Sequence, residues 1–200
     1  MARPRRESLA VRQRRVLEAA RSVLIERGYH DVNLDDVARR AGISKGALYL
    51  YFKDKEDIIV AVLNDVIDRL DERLKKIPRP NGKTVSTLEG MASELLGFVD
   101  ENQDFLIQFS REKPDRCGPK AGKVLQERFG RSLDQVSARV KACMKEGTLR
   151  SHDSSLGGLY FLSLVRMYMM QKILTQSKTP LRDHARALVD LFLNGLGKRE

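Results

Sequence analysis

Apolar residues return along most of this chain at spacings of three and four, the mark of helices with one buried face. Between Leu9 and Arg27 the stripe is Val16, Leu17, Ala20, Val23 and Leu24, and Gly28 supplies a stop. Similar stripes run through Ile58, Val62, Val66 and Leu70, through Leu88, Met91, Leu95, Phe98 and Val99, and through Leu125, Phe129, Leu133, Val136, Val140 and Met144. Tyr160 to Leu174 is apolar on most sides, and Leu181, Ala185, Leu188, Phe192 and Leu196 form a clean stripe after the break at "SKTP". Further breaks fall at "PRPNGKT" (78 to 84), "EKPDRCGPKAG" (112 to 122) and "GTLRSHDSS" (147 to 155). No run shows the β-branched alternation of a strand. The pattern predicts an all-α fold of about nine helices, without repeats or low-complexity tracts.

Charge narrows the partners. Across 200 residues, 37 Lys and Arg against 27 Asp and Glu leave a formal +10 and a pI near 9.8, which favours a polyanion, with nucleic acid ahead of an anionic membrane. Residues 1 to 27 hold eight Arg and three acidic residues, a net +5. No segment approaches the ~20 uninterrupted apolar residues of a membrane span, and the Arg-rich start leads into "ESLAVRQRRVLEAARS" rather than an apolar signal core. A cytoplasmic protein without a membrane partner is expected. Cys117 and Cys143 lie too far apart for a C-x-x-C motif; Cys143 reads as a small core residue and Cys117 as a loop residue.

Chemistry concentrates between residues 33 and 57. Asn33 can cap a short helix "LDDVARRA", with Asp36 at its third position to suit the positive end of the dipole. Gly42 can take the left-handed conformation that ends it, and Ser44 can cap a second helix "KGALYLY". Counted from Leu34, apolar residues fall at positions four (Val37), eight (Ala41), ten (Ile43), fifteen (Leu48) and eighteen (Tyr51), with small Ala38 at five and Gly42 at nine. Two short helices crossing tightly need this spacing, because the small residue allows close approach, glycine makes the turn and the others fill a shared core. An ordinary helical corner would not require all seven positions, so they point to a DNA-binding helix-turn-helix. Seven residues at ~1.5 Å each give a helix about 10 Å long, able to enter a major groove ~12 Å wide. Asp54 then caps the next helix, with Lys55 at its first position and a phosphate as candidate partner for that terminus.

Arg14 to Leu63, containing "GY", "DDVARRAGISKGALY" and "YFKDKEDI", resembles the DNA-binding domain of TetR-type transcriptional regulators in motif order and without gaps. Asn33 departs from the usual Thr but can still cap. "KEGTLR" (145 to 150) looks like a segment common before the family's dimerisation helices. The resemblance implies a homodimeric repressor whose paired second helices enter successive major grooves of a palindromic, double-stranded operator and which a small-molecule effector releases. It divides the chain into a basic arm with helix-turn-helix domain, residues 1–54, and an effector-binding and dimerisation domain, residues 55–200. By position, Lys45, Gly46, Ala47 and Tyr49 face the groove, and Asn33, Ser44, Tyr49, Tyr51, Lys53 and Lys55 are candidates for phosphate or base contact. Leu48 and Phe52 belong to packing. Tyr51 holds a core position with its hydroxyl at the edge, so packing and contact are both open for it. Gly46 and Ala47 lack reach and let backbone approach DNA. The arm offers Arg3, Arg5 and Arg6 to a flanking minor groove or to solvent.

The last two stripes match the family's dimer-forming helices, with Gly157, Gly158 and Gly195 allowing close contact and Arg166 expected at the bundle edge. The effector pocket is expected within helices four to eight, with Phe98, Phe105, Phe109, Phe129, Tyr160 and Met167 as candidate contacts, and Arg111 with Glu112 as a candidate polar pair. An enzyme is set aside: His30, His152 and His184 have no partner at metal-ligand spacing, and neither a nucleophile motif nor a phosphate-cradling glycine loop occurs. No cofactor or metal is expected. The competing reading is a DNA-binding regulator without small effector, controlled by a protein partner.

Overall fold

The computed structural model describes residues 8–78, 83–111, 118–147, 149 and 153–195. Arg3, Arg5, Arg6, Glu112, Cys117, His152 and Leu196 lie outside them, as does the side chain of Arg111. The described residues form nine α-helices and no strand: α1 (Leu9–Asp31), α2 (Leu34–Ala41), α3 (Lys45–Tyr49), α4 (Lys55–Lys76), α5 (Thr84–Glu101), α6 (Gln103–Arg111), α7 (Pro119–Lys145), α8 (Ser154–Thr175) and α9 (Ala185–Asn194), with a 3-10 turn at Leu181–His184 before α9. The all-α reading is correct. The chain divides into two compact units, residues 1–66 with 104–125 and residues 67–103 with 126–200.

In the first unit, α1 starts behind Ser8, whose Oγ accepts the Val11 N–H at 3.3 Å, and its backbone breaks at Gly28 (φ 76°, ψ 176°) before one more turn to Asp31. Of the predicted stripe Val16, Ala20, Val23 and Leu24 are buried and Leu17 half-buried, with α1 packed on α2 and α2 on α3; Leu34, Val37, Ala38 and Ala41 of α2, Leu48 of α3 and Ile58, Ile59 and Val62 of α4 are buried in the same unit. Phe105 of α6 joins the same unit, buried, with the Arg21 guanidinium 5.8 Å from its ring centre.

In the second unit α5 is central, packing on α8, α9 and the 3-10 turn through Leu88, Met91, Ala92, Leu95 and Leu96. Phe161 of α8 and Phe192 of α9 meet edge to face at 5.2 Å. The buried Lys172 ammonium pairs with Asp100 and donates to the Thr179 carbonyl at 3.2 Å, tying α5, α8 and the turn together. Burial pushes the Asp100 carboxyl up, but Lys172 and the backbone N–H groups of Leu181 and Arg182 outweigh this and hold it below the usual carboxylate range. Cys143 is buried on α7, as expected, and burial raises its thiol pKa.

Three elements differ from the expectation. α3 has five residues rather than seven, because the Tyr51 and Phe52 N–H groups both turn back to the Leu48 carbonyl, at 3.0 and 3.1 Å, and Phe52 swings into the core. α7 starts at Pro119 inside the expected break, where the fixed φ of proline suits a first helical turn. The final stripe opens as a 3-10 turn, so α9 proper begins at Ala185.

Candidate nucleic-acid interface

The turn between α2 and α3 is built by local chemistry. Asn33 Oδ1 accepts the Asp35 N–H at 2.9 Å and starts α2. Gly42 ends it in the left-handed region (φ 64°, ψ 36°), with its N–H donating to Arg39 O at 3.2 Å and the Ile43 N–H to Ala38 O at 3.0 Å, the paired bonds of a Schellman cap. Ser44 Oγ then accepts the Ala47 N–H at 3.2 Å and starts α3. Leu48 is fully buried where α3 packs on α2, which fixes the rotation of α3 and turns Lys45, Gly46 and Tyr49 outward.

Ion pairs hold this arrangement. Arg40 of α2 reaches Glu26 of α1 with both terminal guanidinium nitrogens, at 2.6 and 2.7 Å, and this hydrogen bonding lowers the Glu26 carboxyl pKa. Asp36 takes Arg27 from α1 and Arg39 from its own helix. Lys45 Nζ lies 2.9 Å from the Asp35 carboxylate and 5.9 Å from the centre of the Tyr49 ring, and the Asp35 bond raises its pKa. The face around α3 therefore carries a lysine that stays charged and can exchange an exposed carboxylate for a phosphate.

Asn33, Ser44, Lys45, Gly46, Tyr49, Tyr51 and Lys53 are all exposed, and Ala47 is half-buried. Tyr51, assigned a core spacing, is 42% exposed, close to Tyr49 at 44%. Between them Leu50 is 86% exposed, the highest value for any large apolar side chain among the described residues. Sequence spacing passed over Leu50; the available signal was a leucine at a position outside the seven that form the motif's core. Lys55 has a different environment from the one expected: its ammonium donates to the His30 carbonyl at 2.8 Å and lies 4.9 Å from the Tyr29 ring centre, fastening the start of α4 to the end of α1.

The candidate effector residues are not gathered in one place. Phe105 and Phe109 stack at 5.9 Å in the first unit, beside Leu24, Tyr29 and Ile59. In the second unit Phe98 is buried under the Arg73 guanidinium, 5.7 Å away, while Phe129, Tyr160 and Met167 are exposed by 53% or more. A cavity of about 770 Å³ opens in that unit between the end of α4 and the first half of α5, lined by Arg73, Lys76, Ile77, Lys83, Ser86 and Thr87 among others. None of the six candidates lines it. Among the described residues no three His, Cys, Asp or Glu side chains are grouped to hold a metal ion, and no helix is long and apolar enough to cross a membrane.

The capped turn, the buried core beneath it and the outward face of α3 form a helix-turn-helix. Residues 16–62 match the family described as "Bacterial regulatory proteins, tetR family". The fatty acid metabolism regulator protein of Bacillus subtilis (strain 168) is 36% identical over 97 residues, 46% of this chain and 49% of that one. The transcriptional regulator BetI of Klebsiella pneumoniae (strain 342) is 33% identical over 95 residues, 46% of this chain and 47% of its own. The chain thus matches about half the length of these curated relatives. Among solved structures, FadR of Bacillus subtilis in complex with stearoyl-CoA superposes with a TM-score of 0.75 over 92% of this chain and 99% of its own, at 19% identity. A TetR regulator from Haloarcula marismortui ATCC 43049 reaches a TM-score of 0.79 over 93% and 98%, at 16% identity. At such identity these two show the fold. Residues 16–62 thus form a DNA-binding domain of the tetR family, and the described chain has the fold of solved TetR-type regulators.

Proposed function

We propose that this protein is a homodimeric repressor in the cytoplasm that holds a palindromic operator through two copies of α3 and leaves it when a small-molecule effector binds. The observation that carries the reading is the exposed face of α3, set by the Schellman-capped turn and the burial of Leu48. On it, Tyr49 and Leu50 offer apolar surface to thymine methyl groups, and the Tyr49 phenol and Lys45 ammonium offer donors to phosphates and bases. Asn33, Ser44, Tyr51 and Lys53 ring this face as backbone contacts, with Gly46 and Ala47 low enough for close approach. Lys55 acts beside them by keeping the α4 terminus in place. Residues 1–54 serve as arm and DNA-binding domain, and 55–200 as effector and dimer domain.

The cavity between α4 and α5 is the candidate effector pocket. Lys76 and Lys83 suit an anionic head, with Arg73 paired to Glu101 and Glu94 also in the lining, and Ile77 with the adjoining methyl and methylene groups suits an apolar body. Acyl-CoA thioesters have that character, and the similarity to a fatty acid metabolism regulator supports them as the first ligands to try. The test starts from duplexes that the wild-type protein selects from a random pool. Tyr49→Ala should weaken binding of the selected duplex by about tenfold or more, the scale of one base-contacting side chain. A long-chain acyl-CoA should release the duplex and raise the melting temperature of the free protein. Unchanged affinity in Tyr49→Ala sinks the α3 assignment, and a thioester that moves neither signal removes that ligand class.

A further inference from the structure

Two helix N-termini meet in the first unit: a carboxylate from α4 caps α7, and a lysine from α7 pairs with the carboxylates at the start of α4. At the start of α4, Asp54 Oδ1 accepts the Asp57 N–H at 2.8 Å, and Asp57 Oδ2 accepts the Lys53 N–H at 3.0 Å. At the start of α7, Glu56 reaches across from α4, and its Oε1 accepts the N–H groups of Lys120 at 2.6 Å and Ala121 at 3.3 Å. A carboxylate there faces the positive end of a 27-residue helix. In return, Lys120 Nζ donates to Asp54 Oδ2 at 3.0 Å and Asp57 Oδ1 at 2.7 Å. Gly118 makes room for the exchange: it has φ 88°, and a Cβ on it would fall 2.2 Å from Glu56 Oε1. The bond from Lys120 lowers the Asp57 carboxyl pKa; for Asp54 the backbone bond from Asp57 acts first and Lys120 second. Both aspartates raise the Lys120 ammonium. Asp54, Asp57 and Lys120 therefore stay ionised through neutral pH.

Segment 50–54 joins α3 to α4 and carries no helix of its own. On one side Lys55 binds it to the His30 carbonyl; on the other the crossed pair closes on 53–57. We propose that Glu56 and Lys120 are positioning residues for operator binding, the start of α7 holding the 53–57 segment in the conformation that meets DNA phosphates. The proposal rests on the operator reading above. Phosphate contact through backbone N–H groups requires the segment set before DNA arrives, and neither Glu56 nor the Lys120 ammonium needs to touch DNA for this.

The experiment compares Lys120→Met, Glu56→Gln, the double variant and Lys120→Arg with wild type, on the duplex that wild-type protein selects from a random pool. Affinity is read across a salt series, and thermal midpoints alongside. Each single variant should bind about fivefold to tenfold more weakly, the effect of losing an exposed charged cap and pair. The salt slope should stay at the wild-type value, Lys120→Arg should recover most of the affinity, and the double variant should lose no more than the worse single one. Wild-type affinity in both single variants overturns the proposal. So does a salt slope reduced by about one in Lys120→Met, which makes Lys120 a phosphate contact. So does a loss that follows the thermal midpoint and is not recovered by Lys120→Arg. A wild-type protein that selects no duplex overturns the operator reading itself, and this role with it.

Discussion

Leu48 and Tyr49 are neighbours in a five-residue helix with opposite duties. Leu48 is fully buried where α3 packs on α2, and Tyr49 is nearly half exposed. Leu48→Ala leaves a hole in a packed three-helix core and should cost about 3 kcal/mol in urea unfolding, with operator affinity falling as the unit loosens. Tyr49→Ala should leave the unfolding midpoint within about 0.5 kcal/mol of wild type, as surface changes do, while operator affinity drops. A stability loss equal to that of Leu48→Ala would mean that Tyr49 packs rather than reads. The burial of Leu48 was legible in the motif spacing, and the outward direction of Tyr49 in the resemblance. Leu50 and Tyr51 were not, since the helix ends one residue after Leu48 and the chain then follows the turn to Phe52, where spacing no longer reports direction.

At the scale of elements, boundaries could be read wherever short-range chemistry marks them. Asn33, Gly42, Ser44 and Asp54 each make the cap their residue type suggests. The start of α6 carries no such mark: α5 ends at Glu101, its C-cap Asn102 donates through Nδ2 to the Phe98 carbonyl at 2.7 Å, and the next helix begins at Gln103 without glycine or proline. Apolar spacing also could not say which unit Phe105 and Phe109 join, because a stripe states that a face is covered, not by what. Closeness between helices is likewise visible only in three dimensions. Gly158 of α8 sits against α7, where an added Cβ would lie 2.1 Å from Ser137 Oγ and 3.0 Å from Ser137 Cα, backbone that cannot step aside. Gly158→Ala should therefore destabilise by ~1–3 kcal/mol through forced separation of α7 and α8. Gly130→Ala, on α7 with nothing within 4 Å of the new Cβ, should instead stabilise by up to ~1 kcal/mol through helix propensity. Equal shifts in the two urea midpoints would show that the α7–α8 approach is not tight.

For the whole molecule the open question is what covers α8. Leu156, Tyr160, Met167 and Leu174 are exposed by 45%, 60%, 53% and 77%, and they recur at four and seven residues on a helix whose other side packs on α5 and α9. An apolar stripe of this length on a 22-residue helix is more than a soluble chain leaves in water, and an identical stripe on a second copy is its simplest cover. Interfaces that hold homodimers bury about 800 Å² or more per partner, which two such helices with part of α9 can supply. Arg166, exposed beside the stripe, suits a polar rim. Light scattering at micromolar concentration should therefore give twice the chain mass of 22.7 kDa. Met167→Glu places two carboxylates against each other near the centre of the proposed contact, where desolvation and like charge both oppose association, and should shift the protein to monomer while each chain keeps its helical circular dichroism. The same variant tests the operator reading from the other end. With two α3 helices tethered in one dimer, the second half-site binds at high effective concentration, so the monomer should lose at least 100-fold in affinity for the full selected site while its affinity for an isolated half-site stays unchanged, on the scale of ordinary avidity gains of about 10²–10⁴. A wild-type monomer, or a monomeric variant that keeps full-site affinity, would rule out the paired-head arrangement.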